Sequence, residues 1–355
     1  MKKLSILADE NIPNLISLCA DWADIKTALG RNICARDLVG VDILLVRSVT
    51  KVNAELLANS SVKFVGSATI GIYHIDTDYL TGQGIGFAHA PGSNANGVVD
   101  YVMSIILDRY DNTALQNLTV GVVGHGNVGG RLARCLNHYS IPHIVYDPLI
   151  TSSTKKAVNS HFVEALDEIM SSEIISLHVP LTNGGEYPSY HLFNSQRLSQ
   201  LGDNALLINS SRGPVVNNPD LKSLLFNRSD LNVALDVWEG EPDIDTELYS
   251  LCMLGTPHIA GYSLDGKHRG ASTIVSAAMQ YFNLNQAPDT DGFNTIKLED
   301  LHSLDDYRNT LSTIYSAIDE AALFEKQLLS SSSVAEIFDR YRKNYPARRE
   351  INYDG

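Results

Sequence analysis

Residues 118–135 read L-T-V-G-V-V-G-H-G-N-V-G-G-R-L-A-R-C, and no other stretch limits the fold so narrowly. The apolar, β-branched opening predicts a buried strand, and Gly124, Gly126 and Gly129 then follow at G-x-G-x-x-G spacing where strand turns into helix. Each glycine has its own reason. Gly124 permits the tight turn, Gly126 leaves no Cβ between backbone and an approaching anion, and Gly129 lets the helix pack close to the strand. The N–H groups around Asn127 and Val128 open the helix and can meet a pyrophosphate. Leu132 and Cys135 are predicted to face the strand. A second strand, His143–Tyr146, ends in Asp147, about 20 residues beyond the glycines, where a carboxylate can accept both hydroxyls of a ribose. Strand, glycine turn, helix, strand and acid in that order predict a dinucleotide site, and the acid favours NAD over NADP. Asp147 also has a plainer reading as a strand-end turn residue before Pro148.

With 355 residues the chain can bury two or three cores, and 44% hydrophobic with 19% charged residues is a globular composition. Lys and Arg number 27 against 41 Asp and Glu, a net charge of −14, which argues against sequence-independent attraction to nucleic acid or an anionic membrane. An anionic substrate therefore needs a local basic pocket. The cysteines, Cys19, Cys34, Cys135 and Cys252, lack metal-ligand spacing and read as small apolar side chains in a reducing compartment. The apolar run Leu4–Ala8 is too short for a signal peptide, and no stretch nears the ~20 apolar residues of a membrane span. A cytoplasmic protein with no metal is expected.

Along the chain, Leu4–Ala8, Asp42–Val46, Val62–Gly66 and Ile85–Ala88 read as strands, with a helix-like segment from Ile12 to Leu29. Strands alternating with helical stretches predict an α/β protein with parallel, doubly wound sheets. The loops Arg47–Lys51 and Ser67–Thr69 follow strands and carry hydroxyls, so they are candidate substrate loops, with ordinary capping as the plain alternative. Asn94–Asp108 predicts a helix leading into the glycine unit. Beyond Asp147, Phe162–Met170 reads as a short helix, and Ile174–His178, Leu206–Asn209 and Val233–Asp236 as strands. A helix from Tyr262 to about Asn285 returns toward the first unit, and Pro288–Asn294 reads as a linker. The last sixty or so residues carry amphipathic runs and a basic segment, Arg340–Arg349, with a serine loop at Ser330–Ser333. Three domains are expected: 1–93 with 262–286, 94–261, and 290–355.

Three groups stand at strand ends after the glycine turn: Asn209-Ser210-Ser211-Arg212-Gly213, Asp236-Val237-Trp238-Glu239-Gly240-Glu241-Pro242 and Thr256-Pro257-His258-Ile259-Ala260-Gly261-Tyr262. Removing a hydride from C2 of a 2-hydroxy acid requires the hydroxyl proton to leave too, and histidine as a residue type exchanges protons near neutrality, so His258 is the candidate to take it. Glu241 beside the imidazole would raise its pKa and hold one tautomer. Arg212 offers a planar fork to a substrate carboxylate. Each also has a plain explanation as turn, surface or helix-opening residue; the order behind a nucleotide fold gives them weight together. Asp236 is expected to help hold the nicotinamide end. The other histidines, His89, His125, His138, His143, His161, His178, His191 and His302, read as structural or surface groups.

The glycine loop with L-I-N-S-S-R-G, A-L-D-V-W-E-G-E-P and T-P-H-I-A-G-Y-S resembles the D-isomer-specific 2-hydroxyacid dehydrogenase family. More specific matches run through A-D-E-N-I-P (8–13), V-R-S-V-T-K-V-N (46–53), F-V-G-S-A-T-I-G (64–71), A-P-G-S-N-A-N (90–96), H-I-A-G-Y-S-L-D-G-K (258–267) and R-K-N-Y-P-A-R-R-E (342–350), so the resemblance covers essentially the whole chain. It implies two Rossmann-like domains, the first flavodoxin-like and substrate-binding and the second NAD-binding, plus a C-terminal α+β dimerisation domain. It implies NAD-dependent oxidation, by a homodimer, of a phosphorylated 2-hydroxy acid, 4-phospho-D-erythronate of the vitamin B6 route. Arg212, Glu241 and His258 fall at its catalytic positions, Asp147, Val179, Asp236 and Gly261 at NAD positions, and Ser48, Thr69 and Tyr262 at substrate positions. In place of the L-H-T-P-L of many relatives stands Leu177-His178-Val179-Pro180-Leu181, so residue 179 offers only its backbone. Another D-2-hydroxy acid such as 3-phosphoglycerate remains an alternative substrate, and a non-catalytic NAD-sensing protein an alternative class.

Overall fold

The computed structural model describes residues 3–284, 295–329, 333–346 and 348–354. It divides into two units, Met1–Asn94 with Ser263–Asn294, and Ala95–Tyr262 with Thr295–Gly355.

In the first unit β1 (Leu4–Asp9), β2 (Ala23–Ala28), β3 (Ile43–Val46), β4 (Phe64–Ser67) and β5 (Gly86–His89) form a parallel sheet in the order β2-β1-β3-β4-β5. This is the flavodoxin-like order. Ile6, Ala8, Ile43 and Leu45 point into one core while Leu7, Leu44 and Val46 point into another, so the period-two pattern is apolar on both faces. The helix Leu264–Tyr281 covers the first of these faces through Ala271, Ile274, Val275 and Ala278, as expected of a returning helix. One expectation fails: within the helix-like segment 12–29 only Leu15–Cys19 is helical, and Ala23–Ala28 is β2. That strand lies at the sheet edge with polar residues exposed, so its sequence lacks the doubly apolar signature of its neighbours.

In the second unit β6 (Val120–Val123), β7 (His143–Tyr146), β8 (His161–Phe162), β9 (Ile174–Leu177), β10 (Leu206–Asn209), β11 (Asn232–Leu235) and β12 (Leu254–Gly255) form a parallel sheet in the order β12-β11-β10-β9-β6-β7-β8. The reversal of direction at β6 makes the crevice beyond β6 and β9 the switch point where ligands of doubly wound sheets bind. Phe162, expected to open a helix, ends the two-residue β8 instead, and the helix there is Leu166–Ile169.

The C-terminal segment does not form the separate domain expected. Tyr307, Leu311, Tyr315 and Tyr353 join the core on the face of Val120 and Val122, while Phe324, Ile337, Phe338 and Tyr341 join the core on the face of Val123 and Leu177. A two-stranded parallel sheet, β13 (Ile296–Lys297) with β14 (Ile351–Asn352), closes it. Amphipathic helices without apolar partners of their own must bury that stripe against something, and the sheet of the second unit supplies the surface. The expected linker 288–294 and most of the serine loop lie outside the described residues. Among the described residues, no helix is long and apolar enough to cross a membrane.

Candidate active site

The glycine turn of the second unit uses its glycines for separate purposes. Gly124 has φ +92°, and a Cβ there would meet the His178 carbonyl oxygen at 2.6 Å. At Gly129 a Cβ would run into the Gly124 carbonyl, whereas at Gly126 nothing lies within 4 Å. Gly126 caps the helix Asn127–His138, so its open side faces a helix N-terminus with spare N–H donors. Behind the turn, Leu132 and Cys135 are fully buried as predicted.

Asp147 fills the turn role that its sequence position allowed. Its Oδ1 accepts from the Leu149 N–H at 2.9 Å, a strand-end turn, and its Oδ2 accepts from the His125 N–H at 2.7 Å, which ties the end of β7 to the glycine loop. Carboxylate lone pairs remain for ribose hydroxyls. Gly124, Gly126, Asp147 and Val179 line one cavity of about 610 Å³ within this unit. That volume, the bare turn and the acid fit a dinucleotide.

The three catalytic candidates stand beyond the carboxyl ends of three adjacent strands, Arg212 after β10, Glu241 after β11 and His258 after β12. The loops are locked together. Asn209 accepts from the Ser211 N–H and hydroxyl through Oδ1 and donates to the Arg212 carbonyl through Nδ2. Gly213 lies so close to the Trp238 carbonyl that a side chain there has no room. Trp238 donates its indole N–H to the Thr256 carbonyl at 3.0 Å, and Thr256 in turn donates its hydroxyl to Asp236 at 2.7 Å.

His258 Nδ1 and Glu241 Oε1 are 2.6 Å apart. A carboxylate only accepts, so Nδ1 carries the hydrogen, and in the neutral imidazole the lone pair is on Nε2. Burial pulls the Glu241 carboxyl up, but the hydrogen bond and charge of His258, the Trp238 amide and the Arg342 guanidinium prevail, and it titrates below its ordinary value. His258 holds φ +55°, a left-handed conformation that disfavours side-chain-bearing residues. It is held there because its own N–H donates to the Asp236 carbonyl at 2.7 Å, and the Ile259 and Ala260 N–H groups donate to the Asp236 carboxylate. Asp236 is buried and these bonds engage both its oxygens, so what it does here is set the histidine loop. On the other side of that loop, the Ala260 carbonyl accepts from buried Arg348 at 2.7 Å, and Arg348 also donates to the Gly97 carbonyl at 3.0 Å.

Tyr262 and Gly261 follow in the same loop, with the Tyr262 ring edge-on to Tyr345. The remaining substrate candidates belong to the other unit: Ser48 is exposed after β3, and Thr69, after β4, bonds Ser67 and the Gly71 carbonyl. Two histidines read as merely structural line the cavity. His178 is half-buried and pushed down to about 3 by desolvation, so it stays neutral; His191 pairs with Glu239 at 2.7 Å and stacks on Tyr190. His178 bonds Ser176 two residues back at 2.9 Å, whereas the Glu239 and Asn217 partners of His191 lie tens of residues away, beyond any local sequence signal.

This fold and site define a class. The sequence model described as D-isomer specific 2-hydroxyacid dehydrogenase, NAD binding domain, matches residues 104–260. Among solved structures, D-lactate dehydrogenase from Aquifex aeolicus complexed with NAD and lactic acid aligns at TM-score 0.60 and 24% identity over 79% of this chain and 95% of that one. The holo form of Rhodotorula graminis D-mandelate dehydrogenase aligns at TM-score 0.66 and 19% identity over 79% and 94%. These two show the shared fold. Similarity in sequence goes further: proteins named erythronate-4-phosphate dehydrogenase from Pseudomonas putida (strain GB-1), Stutzerimonas stutzeri and Shewanella sediminis are 42%, 44% and 39% identical, each over 98% of this chain and 93%, 93% and 94% of their own length. The chain belongs to the erythronate-4-phosphate dehydrogenase family within the D-isomer specific 2-hydroxyacid dehydrogenases, and is an NAD-dependent dehydrogenase.

Proposed function

We propose that this protein oxidises 4-phospho-D-erythronate to (R)-3-hydroxy-2-oxo-4-phosphooxybutanoate in vitamin B6 biosynthesis. The observation that carries the chemistry is the 2.6 Å pairing of His258 with Glu241, beside the strand end that holds Arg212; the names of the relatives support the substrate. Nε2 of His258 takes the C2 hydroxyl proton, and Glu241 stabilises the imidazolium that results. Arg212 grips the substrate carboxylate through its planar fork. Tyr262, Ser48 and Thr69 are assigned to substrate. Gly124, Gly126, Asn127, Val128 and Gly129 would hold the NAD pyrophosphate, Asp147 its ribose, and Val179 and Gly261 the rest, with Asp236 contributing through the histidine loop it sets. When bound, NAD supplies the acceptor for the hydride leaving C2.

The same reading makes the protein a homodimer joined through residues 290–355, supported by the exposed apolar Ile318 and Leu323 on the helix Ala317–Leu328. Sedimentation of the purified protein as a monomer would remove that part. The catalytic part is tested by His258→Ala: turnover falls by roughly 10²–10⁴-fold while NAD affinity barely changes. Unaltered turnover would falsify the proton-transfer role. A substrate panel at fixed NAD tests the rest, and faster oxidation of 3-phosphoglycerate than of 4-phospho-D-erythronate overturns the substrate assignment.

A further inference from the structure

The guanidinium of Arg342 stands within electrostatic reach of Glu241 but has no carboxylate bonded to it among the described residues. Arg342 lies on the helix Val334–Lys343, and among the described residues it makes neither an ion pair nor a hydrogen bond. It is partly buried, and its Nε is sealed from solvent with no partner. Its guanidinium carbon sits 5.9 Å from the centre of the Tyr262 ring and 5.8 Å from that of Phe338. Tyr262, whose ring is braced from another side by Tyr345, lies four residues in sequence from His258, and the charge of Arg342 beside it is felt at Glu241.

Contact with two rings holds the guanidinium in place, and its terminal Nη groups, which make no hydrogen bond among the described residues, are left to bind a ligand. Holding such a partly buried cation without a hydrogen-bonded anion costs desolvation, which an incoming anion offsets. Arg212 already answers to the substrate carboxylate. We propose that Arg342 receives the second anionic group of the substrate, its phosphate, and so selects phosphorylated over unphosphorylated D-2-hydroxy acids. This assignment rests on the reading of the substrate given above. It makes the C-terminal segment part of substrate recognition: a phosphate two carbons beyond the reacting centre is gripped from the face where Tyr262 and Arg342 stand, while the carboxylate is held from the β10 loop.

The test compares D-erythronate with 4-phospho-D-erythronate in the full-length enzyme and in Arg342→Met. The substitution lowers kcat/KM for the phosphorylated acid by roughly 10–100-fold, the scale of a lost charged hydrogen bond, and changes that for D-erythronate less than about threefold. NAD affinity stays as in the unaltered enzyme. Arg342→Lys, which keeps the charge and the apolar stem but not the fork, retains part of the preference, and it carries the comparison alone should the methionine variant not fold. Weaker competitive inhibition by inorganic phosphate in either variant supports the assignment. A preference for the phosphorylated acid that survives substitution, or an equal loss on both acids, overturns it. An unaltered enzyme with no such preference instead brings down the reading of the substrate.

Discussion

His258 and Glu241 show how a single contact sets both a protonation state and a pH response. The glutamate's titration is displaced downward in the folded protein, so the pairing contributes stability that is present above the ordinary carboxylate range, about pH 4, and is lost as pH falls through the displaced value. Glu241→Gln should therefore destabilise the protein near neutrality and converge with the unaltered protein under acid conditions, measured as the difference in Tm across a pH series. A constant difference would show that the glutamate acts through shape alone. At this scale the sequence was legible where chemistry sits in motifs: Arg212, Glu241 and His258 all lie at adjacent strand ends. It was silent on Arg342 and Arg348, which read as members of one basic run although one stacks on rings and the other is buried against carbonyl oxygens. Arg342 closes the helix Val334–Lys343 and Arg348 follows in irregular chain, so no single period runs through both from which to separate them.

Among the elements, the strand–turn–helix at 120–138 is the part most fully specified by its own residues. The contrast between its glycines gives a paired prediction. Gly129→Ala puts a methyl into the Gly124 carbonyl and should cost about 1–3 kcal/mol in chemical denaturation, the usual range for overpacking, along with NAD affinity. Gly126→Ala meets only open space, so it should leave stability within about 0.5 kcal/mol and still weaken NAD binding measured by titration. Equal stability loss in both variants would contradict the division of labour between them. Strands buried on both faces, such as β6, β9 and β10, announced themselves as apolar runs. The edge strand β2 did not, because A-D-I-K-T-A buries little and its pairing partner β1 lies far enough back that only the sheet reveals it.

For the molecule as a whole, the main departure from expectation is that the C-terminal segment completes the cores of the second unit. Its buried anchor is Arg348, stacked 3.8 Å over Tyr315 and near Asp100, whose carboxyl is pushed up to about 8 by burial, with Glu350 adding to the rise and Arg348 and Tyr353 opposing it. Arg348→Met strands two buried carbonyls, at Ala260 and Gly97, and should cost roughly 2–5 kcal/mol in denaturant unfolding. Because one of those carbonyls belongs to the histidine loop, kcat should fall more than NAD affinity; a stability loss with kcat intact would mean that the loop keeps its shape unaided. The 88 residues between Ala260 and Arg348 carry a consequence for synthesis. Domains tend to fold from the N-terminus as they leave the ribosome. The residues of the glycine turn are made early, but the turn bearing His258 receives its last support only when the ribosome has passed position 348. A nascent chain halted short of that point carries every residue of the dinucleotide cradle and lacks the strap that seats the imidazole.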